Sequence, residues 1–237
     1  MLISDLLGRI QSLYSRGVSS DESNLSDRHV YNKVLTVRMQ LLSQQLKKKQ
    51  RISDWNYSVL PCVELIKVPN HECSCLGNLG CDVYRTKFPI PRVMTDSNRH
   101  FIEYVMSVEN GMRIEETTRQ GVLYLKGNKY TGVKPKYLFE NGYLYFPLKK
   151  NPGVVKIKLL AEDPLEANHF PSMCSDCPDC IDCQAAPDHE FNIDGDLIEP
   201  LINMCFQELL TIFGQENRDT KNDSQDKAPG NVNSDNR

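Results

Sequence analysis

The chain has 237 residues, 40% hydrophobic and 25% charged, which suits one large domain or one domain with an insertion and excludes a fibrous repeat or a wholly disordered chain. The formal net charge of −3 hides a division: residues 1–161 carry 24 Lys and Arg against 14 Asp and Glu, whereas residues 162–237 carry 4 against 17. An acid sits in the opening MLISDLLGRI and no apolar run nears about 18 residues, so neither a secretion signal nor a membrane span is expected, and the sequence reads as soluble and made in the cytoplasm.

Ser4 is placed to cap a short helix to about Tyr14, with Leu6, Leu7, Ile10 and Leu13 making one apolar stripe before Gly17 stops it. After the polar stretch Ser19 to Leu25, Ser26 is expected to cap a longer helix to about Arg51. Its stripe is Val30, Val34, Val37, Leu41, Leu42 and Leu46, while Lys33, Arg38, Gln40, Gln44 and Lys47 fall mostly off it. Lys47, Lys48 and Lys49 complement the negative end of that helix's dipole, with a phosphate-contacting patch as the alternative.

From Trp55 the period changes. Cys62 to Val68 reads as a strand, and two apolar alternations, Phe101 to Glu109 with Met112 to Thr117 and Tyr137 to Phe139 with Tyr143 to Phe146, flank Asn110-Gly111 and Asn141-Gly142. Asn-Gly there predicts type I′ hairpins, because both central residues of such a turn need positive φ. Val155, Ile157 and Leu159 alternate with Lys156 and Lys158, which predicts a strand with one buried face and one basic, wet face, closed by Asp163-Pro164. Tyr124, Tyr130, Tyr137, Tyr143 and Tyr145 read as the aromatic half of a sheet core. Asp194 or Asp196 then caps a last helix to about Phe213, its apolar face suited to the two N-terminal helices. The polar residues 215–237 lack any aromatic and are expected to order only on a partner.

The expected fold class is α+β, with a helical hairpin and C-terminal helix forming a small bundle, an inserted antiparallel β domain and a Cys-rich loop. Residues 1–58 are assigned to the hairpin, 59–172 to the β domain, 173–190 to the loop, 191–214 to the helix completing the bundle, and 215–237 to the arm.

No motif carries catalysis. There is no phosphate-cradling glycine loop, no nucleophile elbow and no His-Glu pair at helical ligand spacing, and His29, His71, His100, His169 and His189 are scattered. Seven of the nine cysteines fall in two clusters, Cys73, Cys75 and Cys81, then Cys174, Cys177, Cys180 and Cys183. Two-residue spacers let a pair of thiolates grip one tetrahedral ion, so these seven are the candidate ligands of a structural zinc. An iron–sulfur site, and no metal with thiols left reduced or disulfide-linked, stay open as alternatives. Cys62 and Cys205 read as buried apolar residues.

The second helix followed by Ile52 to Tyr57, then Gly142-Tyr143-Leu144-Tyr145, then Val155 to Leu160, resembles the head-to-tail adaptor of short-tailed phages, the tubular tail protein A family. The stretches LYSRGVSSDES, RHVYNKVLTVR, WNYSVLPCVELIKVP, KGNKYTGVKP, GYLY and EDPLEA, with the Cys/Asp repeat, are more closely similar to the structural ring proteins of crAss-like phages, over nearly the whole chain to about Phe213. The resemblance implies a virion structural protein of the portal-tail neck, a connector subunit that catalyses no reaction. It implies a ring homo-oligomer of twelve copies, the portal and neighbouring ring or tail proteins as partners, double-stranded DNA in the lumen without sequence readout, and no membrane. Separation of charge along the chain suits interfaces where basic and acidic patches of neighbours meet. A small zinc- or iron–sulfur-binding redox protein and a nucleic-acid-binding regulator are the alternatives.

Overall fold

The computed structural model describes residues 1–15, 25–69, 83–96, 99–122, 135–147, 153–173 and 189–225, with side chains to Ile212 in the last span. Helix α1 (Ile3–Tyr14) buries Ile3, Leu6, Leu7 and Ile10, while Leu13 of the expected stripe stays exposed. Ser4 is inside the helix and caps nothing. Its role passes to the backbone: Leu2 is the N-cap residue, Ile3 N–H donates to His189 O at 3.0 Å, and Phe191 N–H donates to Met1 O at 2.9 Å. A strand-like tie thereby satisfies a helix start that a hydroxyl was expected to satisfy.

Helix α2 (Asp27–Lys47) starts at Ser26, whose side chain accepts from His29 N–H at 3.3 Å. It stops four residues earlier than the expected Arg51. Gln50 N–H donates to Gln45 O and Lys49 N–H to Leu46 O, with Lys49 at φ 54°, a Schellman close with lysine where glycine is usual. Left-handed backbone strains a side-chain-bearing residue by roughly 1–2 kcal/mol, partly offset by the entropy glycine would add. Lys49→Gly is therefore expected to stabilise the fold by about 0.5–1 kcal/mol, read as a higher urea midpoint at unchanged slope.

The strands are β1 (Ser58–Lys67), β2 (Tyr84–Thr86), β3 (Thr95–Asp96), β4 (Arg99–His100), β5 (Ile102–Ser107), β6 (Arg113–Glu116), β7 (Lys136–Glu140), β8 (Tyr143–Phe146) and β9 (Val154–Leu159). Strands β3 and β4 pair with each other, and the other seven close a barrel in the order β1-β2-β8-β7-β6-β5-β9. Directions cannot alternate around an odd ring, so closure requires a parallel neighbour pair. That pair is β6–β7, with Glu115 opposite Lys136 and Glu116 opposite Tyr137. Leu60, Val63, Val105, Leu144, Phe146, Val155, Ile157 and Leu159 fill the interior.

The turns divide on the Asn-Gly expectation. Asn141 and Gly142 have φ of 52° and 80°, the type I′ hairpin joining β7 to β8. At Asn110-Gly111 only Gly111 is positive, φ 63°, and the loop is wider: Gly111 N–H donates to Ser107 O and Ser107 N–H to Met112 O.

A short helix α3 (Pro164–Asn168) follows β9, capped by Asp163, which accepts from Leu165 N–H at 2.8 Å. The last helix, α4 (Gly195–Gln225), runs twelve residues past the expected Phe213. Ile10, Val30, Val34, Val37, Leu42, Leu201, Cys205 and Leu209 join α1, α2 and α4 in one core. That core also takes in Ile52, Met94, Leu160 and Phe191, which come from the barrel's end and its connections.

The expected fold class, a helical bundle carrying an inserted antiparallel β domain, is thus corrected. The strands form a closed barrel with a parallel pair, and the core shared by α1, α2 and α4 extends onto that barrel's end through Met94 and Leu160. Stripes wide enough to need a further partner find it within the same chain.

Arg38 locks the two parts together. It is fully buried, and its guanidinium donates to Ala161 O at 2.8 Å, Asn56 O at 3.0 Å, Asn192 O at 3.1 Å and Glu162 O at 3.4 Å. It also lies over the Phe191 ring, 5.8 Å from the centroid. Burial pushes its pKa down to about 10, which leaves it charged at neutral pH, with the Tyr31 and Asp163 groups favouring the charge. Tyr31 Oη donates to Asp163 Oδ1 at 2.6 Å, and burial with that bond holds the phenol well above its usual value.

Candidate assembly surface

Alternation along β1, β9 and β5 turns one set of side chains into the barrel and the other out. Register aligns the outward set in rows: Val59 with Lys158 and Tyr104, then Lys156 with Met106. Bulges between Leu60 and Val63 on β1 and between Ile102 and Tyr104 on β5 keep the rows aligned across the three strands. Val59 is 44% exposed, and at the β5–β6 turn Val108 and Met112 are 47% and 49% exposed. The result is an outer face on which apolar side chains are mixed with Lys156 and Lys158.

Trp55, the chain's sole tryptophan, stands at one end of this face and is 76% exposed. It lies on a single 3-10 turn, Asp54–Asn56, whose flanks are fixed. Asn56 is fully buried, its carbonyl held by Arg38 and its Oδ1 accepting from Asp194 N–H at 2.9 Å. Asp54 Oδ1 accepts from Lys158 Nζ at 2.7 Å, a bond that holds the Asp54 carboxyl below its ordinary value. Lys158 Nζ also sits over the Tyr57 ring, 4.8 Å from its centroid. Lys158 is therefore not the freely solvated lysine that the alternation suggested. A large apolar side chain held outward by anchored neighbours is what a protein contact uses as an anchor.

The other exposed large apolar side chains among the described residues lie elsewhere: Leu2 and Leu13 at the two ends of α1, Leu210 and Ile212 on α4, and Phe88 beside Met173. An open groove between α2 and Met94-Thr95 is lined by Thr36, Met39, Gln40, Ser43, Gln44 and Lys47. Its lining brings no nucleophile and base together among the described residues.

The seven clustered cysteines, Cys73, Cys75, Cys81, Cys174, Cys177, Cys180 and Cys183, lie outside the described residues. Among the described residues no three His, Cys, Asp or Glu side chains gather as a metal site. Cys205 is buried and reduced, and burial pushes its thiol up to about 12. Cys62 is buried as expected, but it is disulfide-bonded rather than simply apolar. Two structural features escaped the sequence reading. Trp55 entered it only as a marker of the strand, and the scattered histidines include a contacting pair, His169 and His189, separated in sequence by the cysteine run.

The chain matches the family model for phage tail ring protein 2 over residues 5–228. It belongs to that family of phage tail ring proteins. This agrees with the resemblance to crAss-like phage ring proteins. No curated protein matches the chain. The ring protein is accordingly a structural component of a phage tail, and no helix among its described residues is long and apolar enough to cross a membrane. A closed ring of like subunits uses a heterologous contact, so each subunit needs two unlike faces for its two neighbours. The Trp55 face and the exposed side chains of α1 and α4 are unlike in shape, one a barrel wall and the other helical.

Proposed function

We propose that this ring protein is a subunit of the connector between portal and tail, that copies close a twelve-fold ring, and that double-stranded genomic DNA passes through its lumen without sequence readout. It meets the portal and adjacent ring or tail proteins, and it catalyses no reaction. The observation that carries this reading is the Trp55 face, where the exposed Trp55 and Val59 stand beside Lys158 on a chain whose family is built into tail rings. The polar end of α4 is its arm. Leu209 is the last core residue among the described side chains, and the sequence beyond Phe213 is polar.

Native mass measurement of the purified chain, alone and with portal-bearing particles, tests the reading. A closed-ring mass, or saturable binding to the particles, is expected. Truncation after Phe213 is expected to leave the melting temperature unchanged, within about 1 °C, while reducing ring yield or particle binding. A full-length chain that stays monomeric and ignores the particles would sink the proposal.

A further inference from the structure

Between Asp27 and Asp54 the chain holds no acidic residue and seven Lys and Arg, so an approaching polyanion meets nothing there of its own sign. Three of the seven are placed elsewhere: Arg28 is in the first turn of α2, Lys33 pairs with Glu208, and Arg38 is buried. The other four, Lys47, Lys48, Lys49 and Arg51, gather at the far end of α2, and all are exposed. Among the described residues no salt bridge takes any of them. Asp54 lies within electrostatic reach of Arg51, but its Oδ1 is already held by Lys158 Nζ.

The helix dipole accounts for only part of this cluster. Its negative end acts within the last turn, where Lys47 stands with Lys48 as the C-cap. Lys49 and Arg51 lie beyond it. Lys49 also sits at φ 54°, so a cation is kept where the backbone would favour glycine. Leading to this end, Asn32, Thr36, Gln40 and Gln44 are all exposed and four residues apart, a neutral polar row about 18 Å long.

Amides, hydroxyls and cations together are the groups that contact phosphate and sugar, which position a duplex without reading its bases. Lysine supplies three of the four charges, and its point ammonium lacks the planar fork that pairs with guanine edges. A protein partner fits less well, because lysine is depleted at protein interfaces. We propose that the Lys47–Arg51 turn and the polar row of α2 are the surface by which the chain meets the sugar-phosphate backbone of double-stranded DNA. The proposal rests on the connector reading, which supplies the DNA and turns this end of α2 toward the lumen. Contacts of this kind are equivalent at every step along a duplex, so they guide it without halting it.

The test is fluorescence anisotropy of labelled mixed-sequence duplexes with the full chain over a salt series. Affinity is expected to be the same for different sequences and to fall with salt at a log–log slope of about −3 to −4, as four phosphate contacts require. Lys48→Gln combined with Lys49→Gly is expected to make the slope shallower by about 2 and to weaken low-salt binding about tenfold or more, in a chain no less stable than wild type. Arg9→Gln, which removes an exposed cation from α1, is expected to leave binding within about twofold. Wild-type chain that ignores the duplex at low salt overturns the proposal. So does an unchanged slope in the folded double variant, or an equal loss from Arg9→Gln. A double variant that keeps duplex binding and loses self-association would assign the turn to a contact between copies instead. Lysine-dependent duplex binding by a chain that never forms rings would uphold this surface and strike the connector reading.

Discussion

Replacing Arg38 by Met is expected to cost about 3–5 kcal/mol and to lower the melting temperature by roughly 10 °C, the larger of the two effects on folding and assembly that stand out. The side chain is fully buried, and methionine fills similar space, so little of the loss comes from a cavity. What is lost is the donor set: four carbonyl oxygens, of Asn56, Ala161, Glu162 and Asn192, lose their guanidinium partner. Those carbonyls belong to the Trp55 turn, the end of β9 and the lead into α4, so one residue of α2 fastens three segments. Arg38→Lys is expected to recover only part of the loss, because a point ammonium cannot spread donors across so wide a fan. Urea unfolding of the isolated chain measures both variants. A methionine variant within about 1 kcal/mol of wild type would show that the buried charge only breaks even.

Trp55→Ala is expected to do the reverse, sparing the fold and damaging assembly. With the side chain 76% exposed, its removal should shift stability by no more than about 0.5 kcal/mol. At the centre of a contact, an anchored tryptophan is worth 2 kcal/mol or more, which is roughly 30-fold in the association constant of each subunit contact. Ring formation followed against protein concentration, beside the melting curve, separates the two effects. Equal ring yield at equal stability would move the interface away from this face. A Val59→Glu variant reads the same surface from the neighbouring strand.

Much of this architecture is legible in the sequence, and the failures have physical causes. Valines and leucines at helical spacing locate α1 and α2, and Asn141-Gly142 fixes the β7–β8 hairpin with both residues at positive φ. Arg38 is expected to fall mostly off the apolar stripe because of its charge, and the structure corrects this: it follows Val34 by four residues and is fully buried. Only the carbonyls brought in from residues 56, 161, 162 and 192 make burial tolerable, and they are remote in sequence. Barrel closure is missed for a related reason. Turn signals report antiparallel neighbours, whereas the parallel β6–β7 pair that an odd ring requires has no local signature. The histidine pair is hidden in the same way, since twenty residues separate two rings that touch.

Met1 O and the Leu2–Glu190 bridge sit in hydrogen-bonded register with residues 189–191. Helix α1 therefore acquires its N-terminal partners only once residues 189–191 have been translated, roughly 10 to 40 s after α1 itself at usual elongation rates. Until then α1 has neither its cap nor the face of α4 to lie on. A copy terminated before residue 189 is expected to lack this register, and with it the fixed placement of α1.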